Sequence, residues 1–251
     1  MFMKDAQRNV LVSVFSLLFC VSMLVYSRRI VGLDGRAVLA TTATYVQHGT
    51  WDINVLSSDE WSFPPPGGQG VFGPDGMLYA KKAPLTAVLL IPFAALGRLL
   101  PFLGVIQAAL LAIPLAYALT GVVFVLAAQR MGLDRRCAVI GALWWGLGTF
   151  ALANTQEIFA EPFMALGFVL CLYGALGLSL KDTLLSGLGA ALIIGGNTAC
   201  IILMPSVLLF ILWQGPLKEC RRIFDMVTLW RPLSVRIIVW SGPVLEAVMH
   251  F

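Results

Sequence analysis

The apolar residues of this chain come in long unbroken blocks, and that one feature removes most folds from consideration. Between Phe102 and Ala128 there is no charged residue at all. The block shows neither the alternation of a half-buried strand nor the single stripe of a surface helix. Helices that are apolar on every side belong in lipid or inside a bundle of similar helices. The composition agrees, with 59% hydrophobic and 12% charged residues, where soluble domains carry about a quarter charged. The expected fold class is therefore an all-α polytopic membrane protein. A net charge of +4 is too small and too scattered to indicate nucleic acid, and the basic residues mainly report topology.

A span needs about 20 apolar residues. On that measure the first runs over 10–26, and Lys4 and Arg8 before it place the N-terminus in the cytoplasm. The residues at its end, Val25, Tyr26 and Ser27, make a poor cleavage site, so it reads as an uncleaved helix rather than a signal peptide. Further spans are expected at 102–128, 137–154, 162–180 and 235–251, with the Arg130, Arg135 and Arg136 cluster on the cytoplasmic side. Two stretches do not fit as simple crossings. A span at 84–100 would carry Arg98 and put the Arg130 cluster outside, so it is expected as an interfacial amphipathic helix. The stretch 184–213 has basic residues on both flanks and is expected as a short hairpin turning at Gly195-Gly196-Asn197. The whole chain, 1–251, reads as one transmembrane domain without internal repeats.

The outer loop, 28–83, is the polar region with room for a site. It opens with Arg28-Arg29 and Asp34-Gly35-Arg36. A helix is expected over 37–47, stopped by Gly49. An extended piece with Pro64-Pro65-Pro66-Gly67-Gly68 follows, and then a β-hairpin over 71–79 turning at Pro74-Asp75-Gly76. The five cysteines, Cys20, Cys137, Cys171, Cys200 and Cys220, lie outside this loop. They show no metal-ligand spacing and read as packing residues or cytoplasmic thiols, with no disulfide expected.

Several residues can carry chemistry, each with a plainer alternative. Asp34 sits just past the first helix, where Arg29 and Arg36 can hold it ionised as a general base; it can equally be an N-cap for the following helix. Glu157 and Glu161 fall four residues apart, as if on one helical face, with Pro162 suited to a helix start; they can also be two solvated acids in a loop. Lys81 and Lys82 are placed to hold a lipid phosphate, or simply anionic headgroups in general. His48 and His250 receive no role. The run Pro66-Gly67-Gly68-Gln69-Gly70 lacks the lysine of a nucleotide-binding loop, and the spans lack the buried charges of an ion pathway.

Taken in order, Asp34-Gly35-Arg36, Val46-Gln47-His48-Gly49, Glu161-Pro162 and the block Gly73-Pro74-Asp75-Gly76-Met77-Leu78-Tyr79-Ala80-Lys81-Lys82-Ala83-Pro84-Leu85 resemble the GT-C superfamily of integral membrane glycosyltransferases. This superfamily includes protein O-mannosyltransferases and aminoarabinose transferases of lipid A. The resemblance covers nearly the whole chain. It implies a GT-C-like N-terminal helical bundle whose outer loop carries interfacial helices and the hairpin. It also implies a sugar donor on a polyprenyl phosphate, acting as co-substrate without a further cofactor, used at the outer face of a bacterial plasma membrane. Asp34 then matches the catalytic base and Glu161 the second acid. Lys82, within the family's Tyr-x-x-Lys-x-Pro-Leu element, matches the donor-phosphate lysine, with Lys81, Arg36, Tyr79 and Glu157 as further substrate-binding candidates. Aminoarabinose transferases have a metal-binding glutamate where this chain has Lys81, so no metal is expected. Family members are usually longer, so the resemblance implies that the chain is expected to be a fragment or a shortened relative. The expected partners are membrane lipids, the polyprenyl-phosphate sugar and membrane proteins. The alternative function is a non-catalytic relative serving as a structural subunit of a membrane complex.

Overall fold

The computed structural model describes residues 2–26, 32–56, 70–100, 102–177, 179–203, 205–207 and 209. Arg28, Arg29, the run 64–68, the expected span 235–251, Cys220 and His250 lie outside the described residues, as do the basic residues from Lys218 to Arg236. Among the described residues the chain is mostly helical, with eight α-helices and one two-stranded sheet. The helices are α1 (Phe2–Leu24), α2 (Leu33–His48), α3 (Pro84–Leu99), α4 (Val105–Leu110), α5 (Ala112–Arg130), α6 (Arg135–Gly148), α7 (Glu161–Ala175) and α8 (Leu180–Gly196); the strands are β1 (Gly70–Phe72) and β2 (Leu78–Ala80).

Two stretches are long and apolar enough to cross a membrane by length and composition, Asp5–Leu24 and Val105–Arg130. The second is two helices, α4 and α5, with Leu111 between them. Pro114 explains the break. Its ring crowds the carbonyl of Leu110, four residues back, and it has no N–H to donate. The Leu111 N–H turns instead to the Ala108 carbonyl. The Gln107 carbonyl is taken by the Tyr26 hydroxyl at 2.8 Å, which ties the end of α1 to α4.

The helices order themselves between two ends of a bundle. At one end Gln7 of α1 meets Gln129 of α5 at 3.3 Å, and Arg130 meets Asp182 in the first turn of α8 at 2.7 Å. At the other end lie Tyr26, the start of α4, the connection between α6 and α7, and the end of α8. Between these ends α5 packs on α1, α6 and α7, and α7 packs most extensively on α8. The α7–α8 contact is close because glycines face each other: a Cβ on Gly167 would sit 2.6 Å from the Gly189 carbonyl oxygen. Small residues at a crossing let backbones approach, which is how helices gain packing energy where no hydrophobic drive separates them from lipid.

α3 lies across the Tyr26 end. Its first turn packs Leu85 against Gly195 of α8, and Gly97 near its other end packs against Val105 and Ala108 of α4. α2 runs beside it in the same direction. Thr42 donates to the Ala87 carbonyl at 3.2 Å, and Arg98 donates to the Val46 carbonyl at 2.8 Å. Arg98 thus caps the carbonyl end of α2, where a cation is favoured. Val38, Ala87, Leu90, Ala94, Ile113 and Phe163 form the core beneath the two helices.

Several boundaries differ from the sequence reading for identifiable reasons. α2 begins at Leu33, four residues before the expected start, capped by Gly32 without a side-chain bond. Its expected stop holds, since Gly49 is left-handed with φ 74°. α6 ends at Gly148, short of Asn154. Thr149 leaves helical geometry, donates back to the Trp145 carbonyl and accepts from the Ala151 N–H, and a 3-10 turn follows at Ala153–Thr155. α7 ends at Ala175 and α8 already starts at Leu180, because Ser179 and Asp182 form a reciprocal capping box. α8 ends at Gly196, Asn197 caps it, and a 3-10 segment continues over Thr198–Leu203.

Candidate functional site

The Tyr26 end gathers most of the residues singled out above. Asp34 lies in the first turn of α2 rather than at its N-cap. There its carboxylate is favoured by the positive end of the helix dipole. The facing surface is built by the hairpin. β1 and β2 pair antiparallel, with Val71 opposite Tyr79, around the turn at Pro74-Asp75-Gly76. Leu78 of β2 and Ile53 pack on Ala37 and Ala40 of α2. The segment before the hairpin is stitched to β2 by the Ile53 N–H on the Leu78 carbonyl at 2.7 Å and the Leu78 N–H on Asn54 Oδ1 at 2.9 Å. The chain therefore leaves β2 alongside the first turn of α2 and reaches Pro84, which starts α3, in four residues.

Lys82 lies on this short link, and its Nζ meets Asp34 Oδ2 at 2.6 Å. Both side chains are close to half exposed, 45% and 42%. Lys82 is thus a cation that faces Asp34; Arg29 lies outside the described residues, and Arg36 sits one turn into α2 with its backbone N–H on the Gly32 carbonyl. The proposed base and the proposed phosphate-binding lysine hold each other. An ammonium carries three N–H donors and a carboxylate about four lone-pair sites, so their one mutual contact does not exhaust either group.

Glu157 and Glu161 do not share a helical face. Glu157 lies in the connection before α7, and Glu161 is the first residue of α7, exposed at the same end of the bundle. Ala160 and Met164, either side of it, pack against Gly196 of α8. Glu161 takes no part in the Asp34–Lys82 pair. Glu157 Oε2 accepts the backbone N–H of Gly32 at 2.9 Å, two residues before Asp34. Lys81 is exposed beside Lys82. The Tyr79 hydroxyl donates to Asp75 Oδ2 at 2.6 Å across the hairpin turn. That bond, with the Met77 N–H, holds the Asp75 carboxyl below its ordinary range, and the same bond to Asp75 raises the Tyr79 hydroxyl above its own.

Two features went unread in the sequence. Asp52 is buried and accepts from Thr50 Oγ1 at 2.6 Å and from the Asn54 N–H at 3.2 Å, shaping the turn that carries Ile53 to the hairpin. Its signal was the Thr50-x-Asp52-x-Asn54 spacing of a side-chain-bonded turn. The second is Gly32, whose N–H meets Glu157. A cleft of about 340 Å³ lined by Ala43, Val46, Gln47, His48, Arg98 and Val105 lies at the far ends of α2 and α3. It shares no residue with the ion pair of Asp34 and Lys82, where opposite charges meet at a half-open surface. Compared with protein-family models, curated proteins and solved structures, the chain matches none of them.

Proposed function

We propose that the protein is a multi-pass membrane glycosyltransferase that moves a sugar from a polyprenyl-phosphate carrier to a lipid, glycan or protein acceptor. The observation that carries this reading is the meeting of Asp34 and Lys82 at 2.6 Å, under two helices laid across one end of the bundle. Large apolar side chains stand exposed around the bundle, including Val12, Leu17, Ile140, Trp144, Phe168, Leu184 and Leu188. So much exposed apolar surface suits lipid better than water. Arg130, Arg135 and Arg136 gather at the opposite end, which by the positive-inside tendency is the cytoplasmic one. α2, α3 and the hairpin then rest at the outer interface, with the N-terminus inside, as in a bacterial plasma membrane.

In this reading the acceptor hydroxyl attacks the anomeric carbon, the bond from that carbon to the phosphate oxygen breaks, and the configuration inverts. The acceptor proton passes to Asp34. Lys82, with Lys81 beside it, offsets the charge that gathers on the departing lipid phosphate. Asp34 must first leave Lys82, and an arriving phosphate is the group that competes for that ammonium. Glu161 lines the same end as a second acid.

A second reading is a non-catalytic structural subunit of a membrane complex, favoured by the way Asp34 and Lys82 already satisfy each other. Purified protein in lipid, supplied with a panel of radiolabelled polyprenyl-phosphate sugars and mixed lipid and peptide acceptors, separates the two. Transfer with inverted configuration supports the enzyme. A well-folded chain that transfers nothing from any donor supports the subunit.

A further inference from the structure

We infer that Glu157 is a positioning residue for Asp34, acting through the backbone of Gly32; the inference rests on the reading of Asp34 as the base. Glu157 Oε2 accepts the Gly32 N–H at 2.9 Å across 125 positions of sequence. The contact is close: a Cβ on Gly32 would lie 2.5 Å from that same oxygen, so the Glu157 carboxylate would have to move away. Gly32 is also the N-cap of α2 and offers no side chain of its own to fix the helix start. An ionised acceptor makes a stronger bond to an amide than a neutral one does, and a carboxylate near the first turn of a helix is favoured by its dipole.

The consequence reaches the chemistry by a short path. The Gly32 carbonyl accepts the Arg36 N–H at 3.1 Å, closing the first turn that carries Asp34. Glu157 itself lies four residues before Glu161, on the connection into α7. One hydrogen bond therefore ties the turn bearing the base to the segment bearing the second acid. The ion pair that meets Asp34 itself is half exposed and is one the donor phosphate has to open, whereas the Glu157 bond holds the start of the turn from another element. Glu157 keeps Asp34 in place when Lys82 lets go.

The test compares Glu157→Ala, Glu157→Gln, Gly32→Ala and the Glu157→Ala/Gly32→Ala double variant, by transfer kinetics and by amide exchange of the peptide carrying Gly32. A misplaced base lowers kcat, by roughly 10- to 100-fold, with little change in KM for the donor. Glu157→Ala and Gly32→Ala are each expected to show this loss. The double variant falls no further, because both remove one bond. Glu157→Gln, whose amide oxygen still accepts the Gly32 N–H, restores most of the rate and the slow exchange. A Glu157→Gln variant as slow as Glu157→Ala, with Gly32 still protected, would overturn the inference and make the charge itself the requirement. Unchanged Gly32 exchange in Glu157→Ala would overturn it as well. A wild type without transfer removes the transferase reading instead, and the exchange comparison then still decides whether the clamp exists.

Discussion

Two ion pairs sit at opposite ends of this bundle, and they are built differently. Arg130–Asp182 is closed: the Asp182 side chain is 10% exposed. It also accepts the Ser179 hydroxyl at 2.6 Å and the Ser179 N–H at 3.0 Å. Arg130 donates to the Tyr173 carbonyl at 2.8 Å and stacks 3.7 Å over the Tyr173 ring. Both carboxylate oxygens of Asp182 therefore have partners within the fold. Asp34–Lys82 is open, close to half exposed on both sides, on a link of a few residues. A pair whose carboxylate is buried and multiply bonded locks helices together; one half exposed on both sides at a similar distance is open to exchange of a partner for a ligand. Charge and separation are alike in the two pairs; exposure and the further bonds on the aspartate set them apart.

The largest expected effect is at the closed end. Asp182→Ala removes the reciprocal half of the α8 capping box and the carboxylate that meets Arg130, and is expected to destabilise the fold by about 2–4 kcal/mol, measured by unfolding in detergent. A loss no greater than that of a surface substitution would break the comparison. Next comes the acid response. The Ser179 hydroxyl and N–H, with Arg130, hold the Asp182 carboxyl down to about 2. A carboxyl depressed in the folded state contributes stability above its unfolded pKa of about 4 and loses it as pH falls through the folded value. The stability gap between wild type and Asp182→Asn is therefore expected to be full above about pH 4 and to close toward pH 2.

Effects on stability are expected to be smaller at the open end. Lys82→Gln should change unfolding stability by less than about 1 kcal/mol, as for other half-exposed pairs. Binding of the polyprenyl-phosphate donor, measured separately, should nevertheless weaken. Donor affinity equal to that of wild type would remove Lys82 from the site. Smallest of all is Tyr79→Phe. The hydroxyl is committed to Asp75 in the hairpin turn, so transfer should match wild type; a clear drop in rate would return Tyr79 to the substrate.

Much of this architecture was legible in the sequence, and the failures have physical causes. The helix stop at Gly49 and the Pro74-Asp75-Gly76 turn are local chemistry, and both appear where local chemistry puts them. Apolar run length marked where helices lie but not where they end. The Pro114 break is internal to one run. The Ser179-Leu180-Lys181-Asp182 box was readable as a helix start, yet it lay hidden at the apparent end of the preceding run. The spacing of Glu157 and Glu161 suggested a shared helical face, but α7 starts only at Glu161. Asp34 and Lys82 were recognisable as candidates by residue type and order. Their contact was not, because it depends on how Leu78 and Ile53 seat the hairpin on α2. Nor was the bond from Glu157 to Gly32, since no sequence spacing encodes an acceptor that reaches a backbone N–H on another element.

The central claim is that the open pair serves chemistry rather than stability. The most direct measurement is the rate of sugar transfer by Asp34→Asn at equal amounts of folded protein in lipid. A positioned base typically contributes 10²- to 10⁴-fold, so the account predicts a loss of about that size with donor binding and unfolding stability close to wild type. Transfer by Asp34→Asn at the wild-type rate would contradict it.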